Sequence, residues 1–164
     1  VTPEAPTLNA VFKIGETFEV TTGHLKAARR DLSTFNDGPL DAVALGTPHF
    51  SLSEFAALVK LLDGRKVKAT TYISTSRGIR EMLIAKGWLK VLQEADVIIP
   101  VDVCTYYSPK VQGLKGRVMT NAAKWAYYAP GMLGVEVCFG SLKECVESAV
   151  RGEVWRDPAL WAVP

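Results

Sequence analysis

Along the chain, compact apolar runs alternate with stretches whose apolar positions recur every three or four residues. Five segments read as strands: Asp41–Gly46 (DAVALG), Val67–Ser74 (VKATTYIS), Asp96–Val103 (containing VIIPV), Arg117–Thr120 and Val135–Phe139. The unbroken apolar character of DAVALG and VIIPV is that of strands covered on both faces. Pro100 inside VIIPV predicts an irregularity or an edge position, because proline cannot donate to a ladder. Ser51 with Glu54 forms a capping-box pair ahead of Phe55, Leu58, Val59 and Leu62, which predicts a helix closed by Gly64. A second helix starts near Ser76, carries Ile79, Met82 and Leu83 on one face and stops at Gly87, and a short amphipathic piece follows over Leu89–Gln93. Ser141 and Glu144 repeat the capping signature before a helix to about Val150.

Upstream, Phe18–Thr22 reads as a short strand, with Thr22 capping a helix to about Leu32. Ser33–Leu40 is rich in turn residues, and Val1–Leu8, with two prolines, is extended. Strands alternating with helices predict an α/β domain with a largely parallel sheet flanked by helices, one domain over residues 1–164.

Composition narrows the partners. With 48% hydrophobic and 22% charged residues, the chain has globular composition and not that of a disordered segment. A net charge of +2 is too small for a nucleic-acid or anionic-membrane footprint. No apolar run approaches about 18 residues, so neither a membrane span nor a secretory leader is expected. Three cysteines, an odd number, argue against a secreted disulfide framework and for a reducing, cytoplasmic setting.

A parallel sheet gathers the residues after each strand along one edge, where ligands usually bind. Four such exits are polar or reactive: Gly46-Thr47-Pro48-His49, Ser74-Thr75-Ser76-Arg77-Gly78, Asp102-Val103-Cys104-Thr105 and Thr120-Asn121-Ala122-Ala123-Lys124. Ser74–Gly78 combines a helix start, hydroxyls and a guanidinium, which suits a carboxylate or phosphate; simple capping by Thr75 or Ser76, with Arg77 in solvent, is the plainer reading. Cys104 is either a functional thiol or a small buried hydrophobe, while Cys138 and Cys145 sit in core patterns. Spacings of 34 and 7 residues between the cysteines match no standard zinc or ferredoxin arrangement. His49 is a candidate acid–base group or a loop hydrogen-bonding residue, and His24 is structural or exposed. Asn121 and Lys124 suit an anionic or hydroxylated ligand, or else mark a helix start with a solvated lysine. Tyr106-Tyr107 and Trp125 through Tyr128 form aromatic clusters, which are mostly packing, with tyrosine hydroxyls near the pocket as candidate hydrogen-bond donors. No Ser-His-Asp order, phosphate loop or dinucleotide fingerprint is present.

These same segments resemble signature stretches of the aconitase X family. They include Val1-Thr2-Pro3-Glu4-Ala5-Pro6-Thr7, Ala44 through Ser51, Thr75-Ser76-Arg77, the region of Asp102-Val103-Cys104, Met119 through Gly131, and Gly134 through Val150 with Phe139-Gly140-Ser141-Leu142. The likeness runs in order along nearly the whole chain. It implies an aconitase-superfamily-like fold and an iron–sulfur-dependent hydro-lyase, in which a proton leaves beside a carboxylate and an iron-bound hydroxyl departs as water. The cluster type, 2Fe-2S or 4Fe-4S, stays open. The branch most similar dehydrates cis-3-hydroxy-L-proline, and the archaeal branch dehydrates phosphomevalonate. By the resemblance, Cys104 is a cluster ligand, Thr75, Ser76 and Arg77 hold the substrate carboxylate, Asn121 and Lys124 line the pocket, and His49 sits beside it. Thr47 and Ala122 depart from the family pattern, which usually has Cys or Ser, and Ser, at these places. The likeness also implies that this chain is the C-terminal segment of a longer large subunit, active with the remainder of that subunit and a small swivelling domain or subunit that brings the serine base. A non-enzymatic α/β module recognising a carboxylate through Ser74–Gly78, or an inactive remnant, are the competing readings.

Overall fold

The computed structural model describes residues 18–105 and 114–160. Five parallel strands form one sheet in the order β3-β2-β1-β4-β5, where β1 is Ala42–Leu45, β2 Thr70–Ile73, β3 Val97–Ile98, β4 Arg117–Thr120 and β5 Glu136–Phe139. Among the described residues six helices accompany them: α1 Thr22–Asp31, α2 Leu52–Leu62, α3 Arg77–Ala85, α4 Trp88–Glu94, α5 Ala123–Leu133 and α6 Leu142–Arg151. Every ladder is parallel, so all five strands point their C-terminal ends the same way.

The period-two geometry of a strand divides the apolar residues between two cores. Val43 and Leu45 of β1 join Ile73, Val97 and Met119 in a cluster with Phe55, Leu58 and Leu62 of α2, Leu83 of α3, Leu92 of α4 and Val146 of α6. Ala42 and Ala44 face the other way, into a cluster with Tyr72, Val118, Val137 and the α5 residues Trp125, Ala126 and Ala129. A three-layer α/β/α sandwich results, and both faces of the sheet are covered, as the uninterrupted apolar runs predict. Both capping boxes form: Ser51 accepts from Glu54 N while Glu54 reaches back to Ser51 N, and Ser141 and Glu144 do the same.

Two expectations change, and the irregular edge position foreseen from Pro100 is found. Phe18–Thr22 is not a strand; Phe18 and Val20 are exposed at 73% and 63%, and Thr21, not Thr22, caps α1 through a reciprocal pairing with His24. The reason lies at the far edge of the sheet. The outer side of β5 is already occupied by the Ser33–Thr34 turn, where Thr34 N donates to Val137 O at 2.7 Å and Phe139 N donates to Ser33 Oγ at 3.0 Å. The Asp96–Val103 segment holds a ladder only at Val97–Ile98 before Pro100 interrupts it, and pairing resumes as a single bridge between Val101 and Thr75. The expectations for Val1–Leu8 and Tyr106-Tyr107 lie outside the described residues.

Gly46 turns the chain out of β1 at φ +76°, and a Cβ there would run into the Ser74 carbonyl oxygen and stand 2.8 Å from Phe50 Cβ. Ser74 O also accepts from Phe50 N at 2.8 Å, so the neighbouring backbone is held in place. Gly46→Ala is expected to cost about 2 kcal/mol from backbone conformation alone. Chemical denaturation of the variant checks this; a midpoint equal to that of the parent would show that the turn relaxes freely.

Candidate functional site at the strand exits

The chain runs from β1 outward through β2 to β3, then returns to the other side of β1 to form β4 and β5. The crossovers therefore diverge between β1 and β4, the place where open α/β sheets bind ligands. The loops following β1 and β4 meet there. Gly46, Thr47, His49, Glu54, Asn121 and Ala122 line a polar recess of about 200 Å³. Next to it, sharing Thr47 and His49, a larger and more apolar pocket of about 400 Å³ is lined by Thr47, Pro48, His49, Asp102, Val103, Cys104, Lys124, Tyr128 and Met132. Three of the four exits thus contribute directly to one two-lobed cleft.

The fourth exit is arranged differently. Thr75 is fully buried, and its hydroxyl donates to Phe50 O at 2.8 Å. Ser76 caps α3, its hydroxyl accepting from Ile79 N at 3.3 Å. The amide at the α3 N-terminus is taken by a carboxylate of the chain itself: Arg77 N donates to Asp102 Oδ1 at 2.9 Å, and the Arg77 guanidinium pairs with Asp102 Oδ2 at 3.1 Å. The anion paired with Ser74–Gly78 in this structure is the carboxylate of Asp102, and Ser76 takes the capping role of the plainer reading. Arg77, with 80% of its side chain exposed, stands behind Asp102 at the pocket rim.

Cys104 is exposed on the pocket wall. Cys138 and Cys145 are buried, and burial pushes the Cys138 thiol up to about 11 and raises that of Cys145 as well. Both stay protonated at neutral pH, and a neutral thiol is a poor metal ligand. Thr105, just after Cys104, is buried and accepts from the Trp125 indole at 2.9 Å, with the Thr47 hydroxyl 3.4 Å away. Trp125 was read as packing; it is also the hydrogen-bonding post on which the third exit rests. Tyr128 lines the pocket, in keeping with a tyrosine hydroxyl there, whereas sequence reasoning missed Met132, although its four-residue spacing from Tyr128 places both on one helical face.

Among the described residues no group of three or more His, Cys, Asp or Glu side chains is arranged to hold a metal ion. A whole iron–sulfur cluster does not fit on these residues, which offer one accessible thiol, Cys104. One thiolate contributed to a cluster shared with ligands from elsewhere does fit this donor set.

A domain of this design collects its ligand chemistry on the loops at the carboxyl ends of parallel strands. A profile of the aconitase X third domain matches residues 40–151. The chain is 40% identical to the cis-3-hydroxy-L-proline dehydratase of Pseudomonas aeruginosa, over 97% of this chain and 28% of that protein. It is 30% identical to the phosphomevalonate dehydratase large subunit of Methanocaldococcus jannaschii, over 80% of this chain and 32% of that one. The holo-form crystal structure of Thermococcus kodakaraensis aconitase X superposes with a TM-score of 0.74 at 27% identity, over 85% of this chain and 36% of that chain. The chain belongs to the aconitase X family, and it spans about a third or less of the length of these relatives. Among the described residues no helix is long and apolar enough to cross a membrane.

Proposed function

We propose that this domain forms one wall of the active site of an iron–sulfur-dependent hydro-lyase that dehydrates cis-3-hydroxy-L-proline. The observation that carries the reading is the meeting of the exposed Cys104 thiol, the His49 imidazole and the Lys124 ammonium in one pocket of about 400 Å³. When bound, the cluster supplies Lewis acidity that makes a substrate hydroxyl a better leaving group. Cys104 would supply one thiolate ligand to it. Lys124 binds the substrate carboxylate, with Arg77 adding positive charge at the rim and Asn121 offering amide hydrogen bonds from the polar recess. His49 stands between the two lobes, placed to hold or pass a proton near the departing hydroxyl. Thr75 and Ser76 act from below, fixing the β2 exit on which this wall is built. Tyr128 and Met132 give the pocket an apolar side that limits water.

The remaining cluster ligands and the base belong, in this reading, to the rest of a large subunit and to a small swivelling domain or subunit. Phosphomevalonate is the second substrate considered. The higher identity to a cis-3-hydroxy-L-proline dehydratase, 40% against 30% for a phosphomevalonate dehydratase large subunit, favours the imino acid.

The test is made on the complete assembly. Iron and sulfide are quantified, and dehydration of cis-3-hydroxy-L-proline and of phosphomevalonate is followed. Iron with turnover of the imino acid, both lost on chelation, is the expected result. An assembly without iron and without dehydration of either compound would sink the proposal, and turnover of phosphomevalonate alone would move it to the second substrate.

A further inference from the structure

Between Pro100 and Thr105 the chain has no helix or ladder of its own beyond the single bridge at Val101, yet it carries the one exposed cysteine. A thiol on such a segment has no defined position unless something outside the segment fixes it. Four contacts do so. Thr75 N donates to Pro100 O at 3.2 Å, and Asp102 N donates to Thr75 O at 2.9 Å. Ser74 Oγ donates to Val103 O at 2.6 Å, and Trp125 holds Thr105 on the far side. Asp102 is the centre of this arrangement. Its backbone is left-handed at φ +56°, a conformation that asparagine and aspartate tolerate better than other non-glycine residues. Its carboxylate reaches the first amide of α3 and the Arg77 guanidinium on the neighbouring β2 exit. The positive end of the α3 dipole therefore grips a loop 25 residues further along the chain.

We infer that Asp102 is a positioning residue, a staple between the α3 N-terminus and the Cys104 loop that sets where the thiol stands in the pocket. Its relevance to catalysis rests on the reading of Cys104 as a cluster ligand; the staple itself does not. Two carboxylate contacts on a rigid helix end leave the two residues that follow little freedom, and Ser74 removes most of the rest by holding Val103 O. Two residues beyond the left-handed Asp102, Cys104 lines the pocket together with Lys124 and His49. Conformation and charge are separable here, which makes the staple testable: glycine accepts the backbone angle without the carboxylate, whereas asparagine accepts it and keeps an oxygen for the helix amide.

Hydrogen exchange of the segment around residues 99–105 is measured by mass spectrometry on the complete assembly, with iron removed and with iron present, for Asp102→Gly, Asp102→Asn and Ser74→Ala. Asp102→Gly is expected to speed exchange of this segment about tenfold in the iron-free protein, with exchange in α2 and α6 unchanged. Asp102→Asn is expected to stay near the parent, and Ser74→Ala to fall between. In the loaded protein, Asp102→Gly is expected to retain less iron and to shift the visible absorption of the cluster. Glycine behaving like the parent would overturn the staple, since a backbone-angle role alone survives that change. Equal loosening by asparagine and glycine would overturn it as well. A parent assembly that binds no iron, with the exchange ranking intact, would defeat the reading of Cys104 as a ligand and leave the staple standing.

Discussion

Cys104→Ser is expected to strip iron from the assembled protein and to lower dehydration by at least about a hundredfold. The lower bound comes from what supporting residues contribute: loss of an outer partner of a metal ligand typically costs ten- to a hundredfold, and loss of the ligand itself costs more. No other cysteine of this chain can substitute. Cys138 lies on β5 and Cys145 on α6, both buried in the core on the α2/α6 side of the sheet, away from the pocket. Burial holds both thiols protonated at neutral pH, Cys138 at about 11. Cys145→Ala is the natural comparison, a core truncation expected to reduce stability while leaving the iron content of the folded fraction intact. Iron and sulfide per assembly, with kcat on cis-3-hydroxy-L-proline, read both variants. Full iron and full activity in Cys104→Ser would remove Cys104 from the ligand set and leave the pocket without a metal anchor from this domain.

The second large effect concerns stability. Glu144→Ala is expected to destabilise the domain by about 3 kcal/mol, lowering Tm by about 10 °C for a domain of this size. Glu144 is fully buried. Its Oε1 accepts from Arg29 Nη2 at 2.7 Å and from Asp157 N at 3.1 Å, while its Oε2 accepts from Ser141 N at 2.8 Å and lies 3.8 Å from Arg156 Nη1. Arg156 in turn donates to Phe139 O and to Asn36 Oδ1, each at 2.8 Å. One carboxylate thus joins α1, the end of β5, the start of α6 and the segment after it. Alanine would leave two backbone amides and two guanidinium groups facing an empty space, and orphaned donors are what make broken buried pairs expensive. Glu144→Gln keeps the capping geometry and removes only the charge, so it is expected to cost about half as much. Thermal or chemical denaturation of the two variants decides; equal losses would show that the ion network, and not the cap, is what matters.

The readable parts of this molecule are those whose signal is local. The Ser51–Glu54 and Ser141–Glu144 pairs announce their helices because a capping box is complete within four residues. The buried strands are equally plain, since a strand covered on both faces must be apolar throughout. The convergence of His49, Cys104, Asn121 and Lys124 near one cleft followed from strand order alone. What stayed hidden depends on partners far away in the chain. Phe18–Thr22 has strand-like residues, but whether an edge is open to it is decided by Ser33 and Thr34. Ser74–Gly78 has the composition of an anion cradle, and only the folded chain brings Asp102 to occupy it. Glu144 announces its cap, while its ion pairs come from Arg29 and Arg156, which no short-range pattern links to it.

The closed outer side of β5 bears on how this domain joins anything larger. A sheet can be lengthened only where main-chain groups are unclaimed, and on β5 the Val137 and Phe139 amides are already matched by Thr34 and Ser33 side chains. The opposite border, β3, offers only Val97–Ile98 before Pro100. Neither side invites a sixth strand of useful length. Docking to further domains or chains is therefore left to helix surfaces and to the loops around the cleft, so that assembly and completion of the active site would draw on the same ground.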